Sequence, residues 1–131
     1  MTLDAVDRLD ILDLLSRADS AATRRDVGAY VALFSEDGTL DGEKGEHRGR
    51  RALAEAVAAV WAAESDAAVH LTLNVLIDVD PDHADRAVTT SQLVIVDPNP
   101  APTIRALATI VQHLEKVGSR WQIARRTVAP P

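Results

Sequence analysis

His70 and Asn74 are the first residues that invite a chemical role. They lie in the run AAVHLTLNVLIDVD, residues 67–80, which otherwise reads as buried strand. An imidazole there has two readings. It is a structural histidine bonded to Thr72, Asn74 or a backbone carbonyl, or it faces a cavity and meets a ligand. In the second case the ring can take a proton from beside a carbonyl when neutral, or give one to a departing hydroxide when protonated, because its pKa lies near working pH. The remaining histidines, His47, His83 and His113, offer less. His47 and His83 fall in expected loops. His113 follows Gln112 on an expected strand, so one faces inward and the other outward. A zinc site would need His70 and His113 to converge with a carboxylate, and no local ligand spacing supports one, so no metal is expected.

Other chemistries are excluded by what the sequence lacks. With no cysteine there are no disulfides, thiolate metal sites or cysteine nucleophiles. There is no G-x-S-x-G, phosphate loop, H-E-x-x-H or dinucleotide fingerprint, so no cofactor is expected. Ser16, Ser20 and Ser35 have no histidine or acid partner nearby in sequence. The net charge of −6 argues against a nucleic-acid partner, which needs a basic face. No apolar run reaches the ~20 residues of a membrane span. The acidic, periodic start MTLDAVDRLD is not read as a signal peptide, and the expected location is cytoplasmic.

The elements that would position these groups follow from periodicity. The 131 residues suit one domain, 1–131. Residues 3–22 carry a helical apolar period, with Thr2 or Asp4 as cap candidates. Asp26 is placed to cap a short second helix over 27–34. SEDGTLDG predicts a turn into a short strand near Thr39–Leu40. GEKGEHRGR predicts a surface loop, and residues 51–64 a third, alanine-rich helix. Four segments rich in Val, Ile, Thr and Leu then follow, at 68–79, 86–97, 103–117 and 120–128. The third also has a helical period, but its β-branched residues and the tight turn Val117–Gly118–Ser119–Arg120 favour a hairpin. Helices first, then consecutive hairpin strands, predict an α+β domain with helices on one face of an antiparallel sheet.

In order, LLSRADSAATRRDVGAYVALFSEDGTLDG, HRGRRALAEAV, VHLTLNVLIDVDPDHADRAVTTSQLVIV and IVQHLEKVGSRWQIARRTV resemble the SnoaL-like branch of the nuclear transport factor 2-like superfamily. The resemblance spans about residues 7–128. It rests on RDVGAYVALFSEDG, the pair Gly49–Arg50, the spacing of His70 and Asn74, and the closing Trp121, Ile123 and Arg126. It implies a cone-shaped α+β barrel, with three N-terminal helices packed on a strongly curved antiparallel sheet around a pocket. It also implies a homodimer formed through the outer sheet face. Relatives include polyketide cyclases, ketosteroid isomerases and dehydratases, and also non-catalytic association domains and dioxygenase β subunits, so the fold alone does not decide function.

Matched position by position, His70 takes the place of the dehydratase histidine that faces the cavity. The other acids and phenols of such sites are replaced here. Ala18 stands where relatives carry a tyrosine, Thr23 where many carry an aspartate, Ser91 or Gln92 where a histidine or aspartate is found, and Gln112 where an aspartate is common. The isomerase base would fall near Gly42, beside Asp41. Thr72, Asn74, Thr89, Ser91 and Gln112 are thus candidates for holding a ligand by hydrogen bonds. His70, with Asp19, Asp41 or His113, remains for proton transfer. Tyr30 reads as core wall with an available hydroxyl, Trp61 as a packing residue or a lining of the mouth, and Arg126 as a partner for an acid on the first helix.

The expectation is a small, mainly apolar ligand, with His70 catalytic and Asn74, Ser91, Gln92, Gln112, Tyr30 and Trp61 in contact with it. The implied reactions are cofactor-free dehydration, cyclisation or double-bond shift. The alternative is a non-catalytic scaffold. A ligand binder should have a deep cavity with His70 on its wall, whereas a scaffold should have a filled interior and an extensive apolar sheet face.

Overall fold

The computed structural model describes residues 3–131. Helix α1 (Ala5–Thr23) begins behind Asp4, whose carboxylate accepts the Asp7 backbone N–H at 2.8 Å. Thr2, the other cap candidate, lies outside the described residues. The helix buries Ile11, Leu14, Leu15, Ala18, Ala21 and Ala22, the helical period read from the sequence. Helix α2 (Val27–Val31) is capped by Asp26, which accepts from the Ala29 N–H at 3.0 Å.

The helix expected to run to Phe34 stops early. Phe34 instead opens strand β1 (Phe34–Gly42), because it pairs with Ile123 far along the chain. Strand β2 (Gly45–Arg48) occupies part of the expected surface loop. It forms a tight hairpin with β1, with Gly45 at φ 97° where a side chain would be strained. His47 therefore lies on a strand rather than in a loop. Helix α3 (Arg50–Ala62) follows Gly49, and Leu53, Val57 and Trp61 face the core. Strands β3 (Val69–Val79), β4 (Arg86–Asp97), β5 (Thr103–Val117) and β6 (Arg120–Ala129) lie at the expected places.

The six strands form one curved sheet in the order β2-β1-β6-β5-β4-β3. Its pairs are antiparallel except β1 with β6, which is parallel. The expectation of a wholly antiparallel sheet is corrected there: β1 precedes α3 and the hairpins, so it reaches β6 by a long crossover rather than a turn. Phe34, Ile11, Leu53, Ile110, Leu114 and Ile123 are the largest fully buried apolar side chains, filling the space between helices and sheet. Burial of each contributes about 1.5–3 kcal/mol.

Two irregularities decide which side chains line the interior. In β3 the register slips between Leu73 and Leu76, and Asn74 sits at φ 57°. His70 and Thr72 face inward before the slip; Ile77 and Val79 pack on the core after it. The odd spacing from Thr72 to Ile77 shows that one extra residue has been absorbed. In β6 the pairing passes from His113–Arg125 to Leu114–Ile123, leaving Ala124 as the extra residue. Trp121 and Ile123 are buried, the phase then shifts by one, and Arg126 rather than Arg125 enters the interior.

Candidate ligand site

The interior wall begins with aromatic rings. Phe34, Tyr30, Trp61 and His70 form a string, with centroids 5.4 Å apart for Tyr30–Phe34, 5.1 Å for Tyr30–Trp61 and 6.4 Å for Trp61–His70. Trp61 is thus a buried part of the wall beside His70, supplied by the inward stripe of α3. Tyr30 is buried, and burial pushes its phenol above the ordinary range.

His70 is only 6% exposed and is held at two points. Its backbone N–H donates to the Thr23 hydroxyl at 3.0 Å. Its ring Nε2 lies 2.8 Å from a Glu64 carboxylate oxygen, and the Arg25 guanidinium lies 3.4 Å from the same oxygen. Arg25, at φ 59°, ends the first helix, and its Nη1 donates to the Ala22 carbonyl at 2.8 Å. A carboxylate on Nε2 favours the tautomer with the proton there, leaving Nδ1 as the basic atom. Neither Glu64 nor Arg25 was recognisable from sequence. They meet His70 only because the loop after α3 folds back on the break after α1.

A second carboxylate faces the same space. Asp19, on α1, accepts from the Thr72 hydroxyl at 3.0 Å. Burial raises its pKa, partly countered by that bond and by the nearby charge of Arg126. A carboxyl so placed is protonated at higher pH than usual and is the better general acid for it.

The sheet supplies a polar row. Thr89, Gln112 and Arg126 are register neighbours on β4, β5 and β6, and Ser91 lies on the same face as Thr89. Thr89, Ser91 and Gln112 are fully buried. Neither hydroxyl, nor either atom of the Gln112 amide, has a hydrogen-bond partner among the described residues. Arg126 is 5% exposed. Its guanidinium carbon stands 5.8 Å over the Tyr30 ring, and no carboxylate among the described residues lies within ion-pair distance. The expected pairing with an acid on the first helix is therefore not made; Asp19 is that acid, but it is bonded to Thr72.

Of the expected contact residues, Tyr30, Trp61, His70, Ser91 and Gln112 share the interior. Asn74 and Gln92 do not. The β3 bulge turns Asn74 out to an exposed position, where its amide donates to Gln92 Oε1 at 3.0 Å. Gln92 follows Ser91 and so points to the opposite face. Asp41 also faces away, 2.9 Å from Arg125, and His113 is exposed. Among the described residues the deep cavity expected of a ligand binder is not seen: the inner row is closed to solvent. A hollow of about 330 Å³ opens instead at the rim, beside Glu64, Ser65, Ala68, Ile95, Asp97 and Arg105.

Three helices against a curved sheet with a partly polar inner face define a nuclear transport factor 2-like, or cystatin-like, domain. The SnoaL-like domain model matches residues 4–127, and the chain belongs to that family. A protein of unknown function with a cystatin-like fold from Nostoc punctiforme is 26% identical, with a TM-score of 0.89 over 98% of this chain and 93% of that one. A protein from Mycobacterium tuberculosis is also 26% identical, with a TM-score of 0.85 over 96% of this chain and 72% of that one. A structure from Catenulispora acidiphila, solved in complex with S-DNPA, shares the fold at 15% identity, with a TM-score of 0.82 over 95% of this chain and 93% of that one. No curated protein matches the chain.

Proposed function

We propose that this is a cytoplasmic small-molecule-binding protein whose ligand lies between the aromatic string and the polar row, and that His70 and Asp19 exchange protons with it. The observation that carries this reading is the set of unpartnered groups on Thr89, Ser91 and Gln112. A buried polar group without a partner costs about 1–3 kcal/mol. Packing alone would favour valine or leucine at those positions; a hydrogen-bonding ligand would make use of the polar groups. The relative solved with S-DNPA supports a fold that admits a bound compound.

The chemistry that fits is cofactor-free: loss of water, cyclisation, or a double-bond shift in a compound with an apolar body and a few oxygens. His70 Nδ1 acts as base while Glu64 steadies the ring. Asp19 returns or supplies the proton, and Ser91 or Gln112 orients the reacting oxygen. Access requires the wall to open; the rim hollow is lined by Glu64, whose carboxylate holds the His70 ring.

A thermal-shift screen of polyketide-, steroid- and terpenoid-like compounds tests the site. A stabilising compound should lose most of its effect in Ser91→Val and in Gln112→Leu, and should still bind His70→Ala more weakly. Stabilisation unchanged in all three variants would place the ligand elsewhere. The second reading, a non-catalytic scaffold, is favoured by two observations: the inner row is closed to solvent, and Leu71, Leu73, Leu76, Ile104 and Leu107 are exposed. It predicts no compound with an effect in that screen.

A further inference from the structure

Resting on that reading, we infer that the ligand is an organic carboxylate whose anionic end is seated on Arg126, with Gln112 and Thr89 beside it. The guanidinium is almost wholly buried, and its register neighbours on either side, Leu40 and Gln112, are uncharged. Beneath it lies the face of Tyr30. No carboxylate among the described residues comes within ion-pair distance of it, although Arg25, Lys116 and Arg125 each have such a partner. A buried guanidinium is costly unless an anion meets it, and its planar donors suit two carboxylate oxygens at once.

The neighbouring groups extend the match. Strands lie about 4.8 Å apart, so the Gln112 amide and the Thr89 hydroxyl continue the row within reach of one small molecule. The Gln112 N–H donates to a carboxylate oxygen. Its free Oε1 accepts from a hydroxyl further along the ligand, and so does the Thr89 oxygen. Asp19 on the first helix, whose charged form Arg126 favours from beyond ion-pair distance, accepts from Thr72 and makes no ion pair with Arg126. Phe34, Ile110 and Trp61 supply the apolar surroundings for the body of the acid.

The test compares 2-naphthoate with 2-naphthamide, a charged and an uncharged probe of similar shape, by ligand-observed NMR and calorimetry on the full chain. Naphthoate should bind native protein about tenfold more tightly. Gln112→Glu places a carboxylate beside Arg126 with almost no change of shape; it should abolish that preference, so that naphthoate binds no more tightly than naphthamide. Arg126→Gln should do the same and serves if the first variant does not fold. Equal binding of both probes to native protein, or a preference surviving in either folded variant, overturns the carboxylate seat while leaving an interior site intact. Failure of both probes to bind native protein at millimolar concentration overturns the interior site as well.

Discussion

Asp7 shows how one side chain fastens the first helix to the sheet. Its carboxylate accepts from Lys116 Nζ at 2.9 Å and from Trp121 Nε1 at 3.0 Å, and these bonds, Lys116 first, hold its pKa below the ordinary value. A carboxylate with a lowered folded-state pKa stabilises the fold above its unfolded value of about 4, and that contribution is lost as pH falls through the lower value. Asp7→Asn should therefore melt below native protein at pH 7, with the gap closing as pH drops under about 4. Asp7→Ala also leaves the buried Trp121 N–H without an acceptor, and should lose a further 1–3 kcal/mol or so at any pH. Melting curves at pH 7 and pH 3 check both; a gap for Asp7→Asn that stays constant would mean its charge does not matter. Residues of this kind are poorly legible in sequence. Trp121 and Asp7 stand far apart in the chain, and nothing local marks them as partners. Glu64 and His70 illustrate the same limit at shorter range, since a loop conformation brings them together.

At the scale of elements the sequence is far more legible, because each period reports the burial of a face. The apolar stripe of α1 and the four later strands follow from that alone. What the pattern hides is the bulge. Counting by twos from His70 puts Asn74 inside, and only the left-handed Asn74 with its slipped register reveals otherwise. Asparagine tolerates that conformation better than most residues, which in retrospect was the available signal. The bulge at Ala124 carries no such signal, yet it determines that Arg126 and not Arg125 faces inward. Strand β1 runs well beyond the short stretch near Thr39–Leu40 that its own pattern marks, because its parallel partner is the last strand. Gly38 sits at that contact: a Cβ there would meet the Ser35 carbonyl oxygen at 3.0 Å, the Ile123 carbonyl oxygen at 3.1 Å and the Phe34 Cβ at 3.1 Å. Two of these are backbone atoms that cannot rotate away. Gly38→Ala should destabilise the protein by about 1–3 kcal/mol through overpacking. Urea titration measures this, and an unchanged midpoint would show that β1 and β6 can move apart freely.

For the whole molecule, the same alternation that lines the interior leaves a second surface to explain. Leu71, between His70 and Thr72, points outward and is 38% exposed. It pairs with Val94 and, across it, with Leu107, which is 50% exposed. Leu73, Leu76 and Ile104 extend this apolar surface along β3 to β5. Contiguous exposed apolar patches of this kind usually mark interfaces. We propose that a second copy of the chain covers it, forming a homodimer through the sheet. A stable interface buries about 1,200–2,000 Å² in total, and several strands are needed to supply that. Sedimentation equilibrium should give twice the 14.1 kDa chain mass for native protein, and close to that single mass for Leu107→Glu, with its circular dichroism unchanged. A charge at that point must be desolvated in the dimer but lies in water in the monomer, so it acts on association and not on folding. Since Leu107 and the polar row lie on opposite faces, any compound that binds native protein should bind the Leu107→Glu monomer with similar affinity. A native monomer at tens of micromolar, or a dimer that survives Leu107→Glu, would rule out this face as the self-association surface.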